Sequence, residues 1–251
     1  MRVAEPLLPV LAHDFGGTVR HASIVLAAFT LAYGAFQIVH GPLGDRVGKL
    51  RLVTVALALA ALASFGCAAA GTLDMLAAAR FLTGLFSGAV IPLSLAWIGD
   101  RVPYEGRQAV LGRFIAGTLL GQSFGPLLGG VLSDWFGWRA TFVAMGVAFL
   151  LICGLLVSEA RTAGRPPPMQ RPPPWRQYLA ILRSPSARPV LATVGIEGFL
   201  FFGAFGFVGA YLHENFALSF SLTGLLIAGF GVGGVLYSFS VRRLVARVCN
   251  V

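Results

Sequence analysis

Seven stretches of the chain, 22–40, 52–71, 74–98, 109–132, 139–158, 189–212 and 221–241, are almost free of charge and are bounded by charged residues or proline. Crossing a bilayer core of about 30 Å takes about 20 mostly apolar residues in a helix. Runs of this length therefore dictate a polytopic, all-α membrane protein. None shows the alternation of a barrel strand, and backbone polar groups in lipid must be satisfied within the segment, so closed helices are the expected form. Composition agrees: 57% of residues are hydrophobic and 12% charged, with mean hydropathy +0.80. A soluble domain is about 45–50% apolar and about 25% charged. The start, 3–13, is apolar but too short to cross, and it lacks the order of a signal peptide. Cys67, Cys153 and Cys249 have no disulfide or metal spacing and read as small apolar fillers.

The net charge of +9 is unevenly spread. Alternate connections, 41–51, 99–113, 159–188 and 242–251, hold fifteen Lys and Arg, against two in the intervening ones. Cytoplasmic loops carry such an excess, which places these four inside. The charge is a topology signal and implies no nucleic-acid partner. Within 159–188 lie Pro166, Pro167, Pro168, Pro172, Pro173, Pro174 and Pro185 with six Arg, so this segment reads as an extended basic linker tethered to anionic lipid. It divides the chain into a front half, 1–158, and a shorter back segment, 189–251.

A constant offset of 201 pairs Leu11 with Leu212, Phe15 with Phe216, Ala27 with Ala228, Leu43 with Leu244, Arg46 with Arg247 and Val47 with Val248. One ungapped offset that sets loop on loop indicates a duplicated helical unit. On that register 189–212 maps onto −12 to 11, so the first helix is expected to lack roughly a dozen residues before Met1. Counterparts of 51–158 fall beyond Val251. The expectation is a partial first helix, seven complete helices, and truncation at both ends of a longer protein.

In 41–51, Gly41, Gly44 and Gly48 permit a tight turn, and Asp45 is placed to accept hydrogen bonds at a helix start. Arg46, Lys49 and Arg51 hold the connection inside, and for Lys49 and Arg51 anchoring alone remains an adequate account. The segment resembles the cytoplasmic signature between helices 2 and 3 of the major facilitator superfamily, with Leu50 displacing one basic residue. The fifth helix carries Gly112, Gly121, Gly125-Pro126 and Gly129-Gly130 at spacings similar to the signature of that superfamily's proton-coupled drug antiporters. Arg80, Gly84 and Gly88 are similar to its buried-arginine motif, with Thr83 where Gln is usual. The resemblance covers helices 2 to 5 and implies the major facilitator fold. It also implies a conformational latch at Asp45 and Arg46 between the two halves, joined by Gly41, Gly48, Lys49, Asp100 and Arg101, and a helix-5 pivot. Independently, Gly117, Gly121, Gly125 and Gly129 form a small-residue ridge that admits another helix, and close packing alone would also explain them.

Ionisable residues inside a membrane are costly and are functional candidates by default. Glu5 falls roughly 12 Å inward from His13 and Arg80 roughly 10 Å inward from Leu73, so the two share a depth and are expected to pair. Glu197 falls roughly 12 Å from the cytoplasmic side. Burial disfavours an ionised carboxyl, the property a proton carrier requires, although a hydrogen-bonded structural carboxyl fits equally. Phe199, Phe201, Phe202, Phe205 and Phe207 line a drug pocket or face lipid, and His40 reads as interfacial. No nucleophile with a base, phosphate loop or metal-ligand cluster is readable, so neither an enzyme nor a cofactor or metal is expected. The resemblance implies a bacterial cytoplasmic-membrane transporter that exports a small, partly apolar compound in exchange for protons, with Glu5, Arg80 and Glu197 coupling the two. A sugar or metabolite exporter or importer of the same fold, and a non-transporting remnant or sensor, remain open.

Overall fold

The computed structural model describes residues 2–162, 174–229 and 233, and contains helices and no strand among them. A 3-10 turn, Arg2–Leu7, leads into α1 (Leu8–Asp14), α2 (Val19–Ala22), α3 (Ile24–Val47), α4 (Lys49–Ala68), α5 (Leu73–Ser87) and α6 (Val90–Arg101). They are followed by α7 (Tyr104–Phe136), α8 (Trp138–Thr162), α9 (Pro174–Arg183), α10 (Ala187–Phe216) and α11 (Phe220–Gly229). Six helical spans are long and apolar enough to cross a membrane: Val19–Val47, Lys49–Ala68, Leu73–Arg101, Tyr104–Phe136, Trp138–Arg161 and Ala187–Phe216. The expected span 221–241 lies largely outside the described residues.

The span over 74–98 is not one straight helix. Pro92 carries no N–H for the Gly88 carbonyl, and the helix breaks at Gly88–Ala89 into α5 and α6. The front helices pack α4 on α8, α3 on α5 and α4 on α5. Two apolar cores result. Leu7, Leu8, Leu11, Val25, Leu76, Trp138 and Phe142 fill the Arg-poor end, and Val53, Leu57, Ala89 and Leu93 fill the Arg-rich end. Trp138 Nε1 donates to Asp14 Oδ2 at 2.7 Å and closes the Arg-poor end further.

The offset of 201 recurs in backbone geometry. Gly16 (φ 63°) and Ala217 (φ 50°) are both left-handed. Two residues on, Thr18 Oγ1 accepts from the His21 N–H, and Ser219 Oγ accepts from the Leu222 N–H, each at 3.2 Å. The same helix exit and N-cap are thus built twice, before Val19 and before Phe220.

Two expectations need correction. The 41–51 segment is not a glycine-rich loop: α3 runs through Pro42 to Val47, and Gly48 alone (φ 108°, ψ 124°) turns the chain into α4. Asp45 therefore lies in the last turn of a helix, not at a helix start. The linker is not wholly extended either. Pro174 opens α9, where its missing N–H costs nothing and its fixed φ suits the first helical position. Residues 163–173, with most of the prolines, lie outside the described residues.

Candidate functional site

Arg80 is fully buried on α5, the largest side chain so enclosed. Gly84 and Gly88 recur at four-residue spacing on the same face. A Cβ on Gly84 would stand 2.3 Å from the Phe29 carbonyl oxygen, and one on Gly88 2.8 Å from that of Tyr33. Only glycine lets α3 approach so closely, and that approach sets the Phe29 ring over the guanidinium, 4.1 Å from its carbon. Phe142 of α8 lies 5.8 Å away on another side. A desolvated cation–π contact contributes about 2 kcal/mol, against several for taking a cation out of water, so the aromatic box alone does not hold Arg80. Glu5, itself buried on the 3-10 turn, lies within electrostatic reach of it. Cys67 and Thr83, their sulfur and oxygen 3.8 Å apart, complete the surroundings.

Glu5 also stands where the front half meets α10. A Cβ on Gly209 would lie 3.1 Å from both the Glu5 carbonyl oxygen and Pro6 Cα. Glu197, in contrast, does not join this cluster. It is exposed on α10, twelve residues before Gly209 and so roughly 18 Å along the axis from the Glu5 contact. Among the described residues α10 meets the front half mainly through the 3-10 turn and α1, at its Arg-poor end. Phe199 and Phe207 are likewise exposed, while Phe201 and Phe205 stack on one another at 5.3 Å.

The helix-5 glycines, all on α7, separate into two groups. Gly112, Gly117 and Gly121 have nothing within 4 Å of a built Cβ, and Gly125 only the Val3 nitrogen at 4.0 Å. At Gly129 the Cβ would stand 2.3 Å from the Val3 oxygen, and at Gly130 2.1 Å from the Phe220 oxygen. Across the same seam, a Cβ on Gly224 would be 2.5 Å from the Pro126 oxygen. Among the described residues the four-glycine ridge is thus occupied at its Arg-poor end. There a further residue, not foreseen from the sequence, closes the seam: Asp134 caps the start of α11. Its Oδ1 accepts from the Phe220 N–H at 3.2 Å, and its Oδ2 from the Ser221 N–H at 2.7 Å and the Ser221 hydroxyl at 2.5 Å. An Asp four residues after Gly130 on the same helix face was the available signal.

At the Arg-rich end Lys49 pairs with Asp100 and, at 3.2 Å, with Asp45, drawing together the ends of α3, α4 and α6. Arg51 Nε donates to the Ala160 carbonyl at 3.3 Å, while Arg46 is exposed. Arg101 lies beside Asp100 at the end of α6 and Gly41 half-buried on α3. The pairs described here join front-half elements to one another; they do not cross to the back segment. His40 is buried, and α3 continues past it to Val47. Pro42 leaves the Ile38 carbonyl without its usual helical donor, and the Tyr178 hydroxyl of α9 donates to it at 2.7 Å. No group of three or more potential metal ligands is assembled among the described residues.

A bundle of apolar helices around a buried arginine, with a glycine seam joining two unequal parts, defines a polytopic membrane protein. The chain matches the Major Facilitator Superfamily over residues 1–250 and belongs to that family. It is 30% identical to an uncharacterized MFS-type transporter, YwfA of Bacillus subtilis, over 99% of this chain and 60% of that protein. It is 29% identical to the probable multidrug resistance protein EmrY of Escherichia coli over 68% of this chain and 34% of that one. Among solved structures, a bacterial homologue of the human lysosomal transporter Spinster, inward-facing and unoccupied, superposes with a TM-score of 0.73 at 18% identity. The superposition covers 96% of this chain and 60% of that one. The chain thus spans no more than about 60% of these relatives.

Proposed function

We propose that this chain belongs to a secondary transporter that exports a small, partly apolar compound in exchange for protons by alternating access, with its Arg-rich end in the cytoplasm of a bacterial inner membrane. The observation that carries the reading is the double engagement of Glu5. Its backbone abuts Gly209 of the back segment while its buried carboxyl lies within electrostatic reach of Arg80 in the front half. Protonating Glu5 removes that attraction, so one proton event bears on the contact between the two halves. The naming of EmrY as a probable multidrug resistance protein supports an apolar substrate, and the helix-5 glycines support exchange. The division into 1–158, a linker at 159–188 and 189–251 follows this reading, as does a latch role for Asp45, Arg46, Lys49, Asp100 and Arg101. Glu197 stands apart from this pair, exposed on α10 among the described residues, and the reading does not depend on it.

The test is Glu5→Gln in the intact protein, in inverted vesicles offered a panel of fluorescent apolar dyes. Accumulation driven by a pH gradient is lost, while dye-for-dye exchange, which needs no net proton movement, persists. Undiminished gradient-driven accumulation would refute the assignment.

A further inference from the structure

The element left unused by this reading is α9. Leu179, Ile181 and Leu182 are exposed on it, and the neighbouring stretch of α3 exposes Ile38, Val39, Leu43 and Val47. On the helical wheel Leu179 and Leu182 lie on one face with Tyr178, and Arg183 falls on the border of that face. Arg183 occupies the last turn, exposed, and Arg188 Nε donates to the Leu182 carbonyl at 2.9 Å, closing the helix end with a second cation. An apolar face bordered by arginines, at the Arg-rich end of a bundle, is the form of a helix that lies in a membrane interface. Acidic side chains are absent from 174–188.

At one edge of that same face, Tyr178 is the point where α9 bonds to α3. Pro42 deprives the Ile38 carbonyl of its helical donor, and in an apolar setting that oxygen must be satisfied elsewhere. Tyr178 supplies the bond at 2.7 Å, and Gly41 leaves room for it, its built Cβ being 3.8 Å from the Tyr178 oxygen. Four residues beyond Ile38 is Pro42, and the last turn of α3 then carries Asp45 to its pair with Lys49.

We propose that α9 docks on the anionic headgroups of the leaflet at the Arg-rich end and, through Tyr178, ties the position of the α3–α4 hairpin to that lipid surface. Lipid charge holds α9 down, α9 holds the Ile38 carbonyl, and the hairpin that presents Asp45 and Lys49 is fixed. When anionic lipid is scarce the brace detaches and the hairpin gains freedom. The inference concerns lipid binding, and its readouts are spectroscopic, so its failure leaves the transport reading untouched.

The experiment uses the intact protein, its native cysteines replaced, in phosphatidylcholine vesicles with or without phosphatidylglycerol. A spin label at Leu182→Cys should collide more with oxygen than with an aqueous nickel reagent, at headgroup depth, when phosphatidylglycerol is present. Removing the charge of Arg183 or Arg188 with Gln should weaken the lipid-bound state about fivefold each. A label at Leu182→Cys as open to nickel as one at the exposed Tyr104→Cys would overturn the docking. Tyr178→Phe keeps the apolar face and loses only the hydroxyl; it should leave the 182 label at the same depth and free a second label placed at Arg46→Cys. An unchanged Arg46→Cys spectrum would overturn the coupling to the hairpin.

Discussion

Alanine at Gly130 and alanine at Gly121 place the same methyl group on the same helix, yet the geometry separates them. At Gly121 the methyl meets nothing within 4 Å. At Gly130 it stands 2.1 Å from the Phe220 carbonyl oxygen, about 1.3 Å short of ordinary contact, and the obstacle is backbone, which cannot rotate away. Overpacking of this kind costs typically 1–3 kcal/mol, and removing a helical glycine returns about 1. The net, at most about 2 kcal/mol, falls on the α7–α11 seam alone and should raise the seam-open population by up to about 30-fold. The reporter is a cysteine at Ala210, buried where α10 meets the front half, in a background without other cysteines. Its rate of reaction with an impermeant maleimide from the Arg-poor side should rise by that factor in Gly130→Ala and stay unchanged in Gly121→Ala. Equal rates in the two variants would show that the close approach does not govern opening.

Two further substitutions probe the ends of the bundle. Asp134→Ala removes the acceptor for two backbone N–H groups, an N-cap worth about 1 kcal/mol, and should speed labelling of the same Ala210→Cys about fivefold; Asp134→Asn, which retains one carbonyl oxygen, should give a smaller increase, and no change in either removes the clasp. Lys49→Met breaks pairs with Asp45 and Asp100, the latter more than half exposed, which such geometry makes worth at most about 1 kcal/mol. The melting temperature in detergent should fall by about 2–4 °C. A collapse of the fold would make Lys49 a principal stabiliser, which the exposure of its partner Asp100 does not support.

Much of this fold was open to sequence reasoning because lipid imposes one rule everywhere: the backbone must satisfy itself, and length with hydropathy then marks each span. The repeat was legible for a related reason. An offset of 201 aligned only scattered side chains, but the left-handed residue and the hydroxyl cap it brought together are local requirements that sequence alone must meet. The linker misled because proline was weighed as a breaker throughout. At the first position of a helix it is an opener, and Leu179, Leu182 and Arg183 after Pro174 carried an amphipathic period that the count of prolines concealed.

The site divides along the same line. Arg80 announced itself by cost, as any buried cation does, and the glycines beside it made sense only once α3 was seen to press its Phe29 and Tyr33 backbone against them. Glu197 carries the same cost, but the sequence gives depth along an axis and not which flank of the helix has a neighbour, and among the described residues its flank of α10 is exposed. The helix-5 glycines show the limit most sharply: spacing marks every position that could admit a partner, while only the crossing point of α7 with Val3 and Phe220 selects Gly129 and Gly130. A glycine motif therefore states that a close approach is possible somewhere along a ridge. Where it occurs is decided by the partner, and here the partner is fixed by Asp134, a residue whose capping role exists only when α11 is already in place.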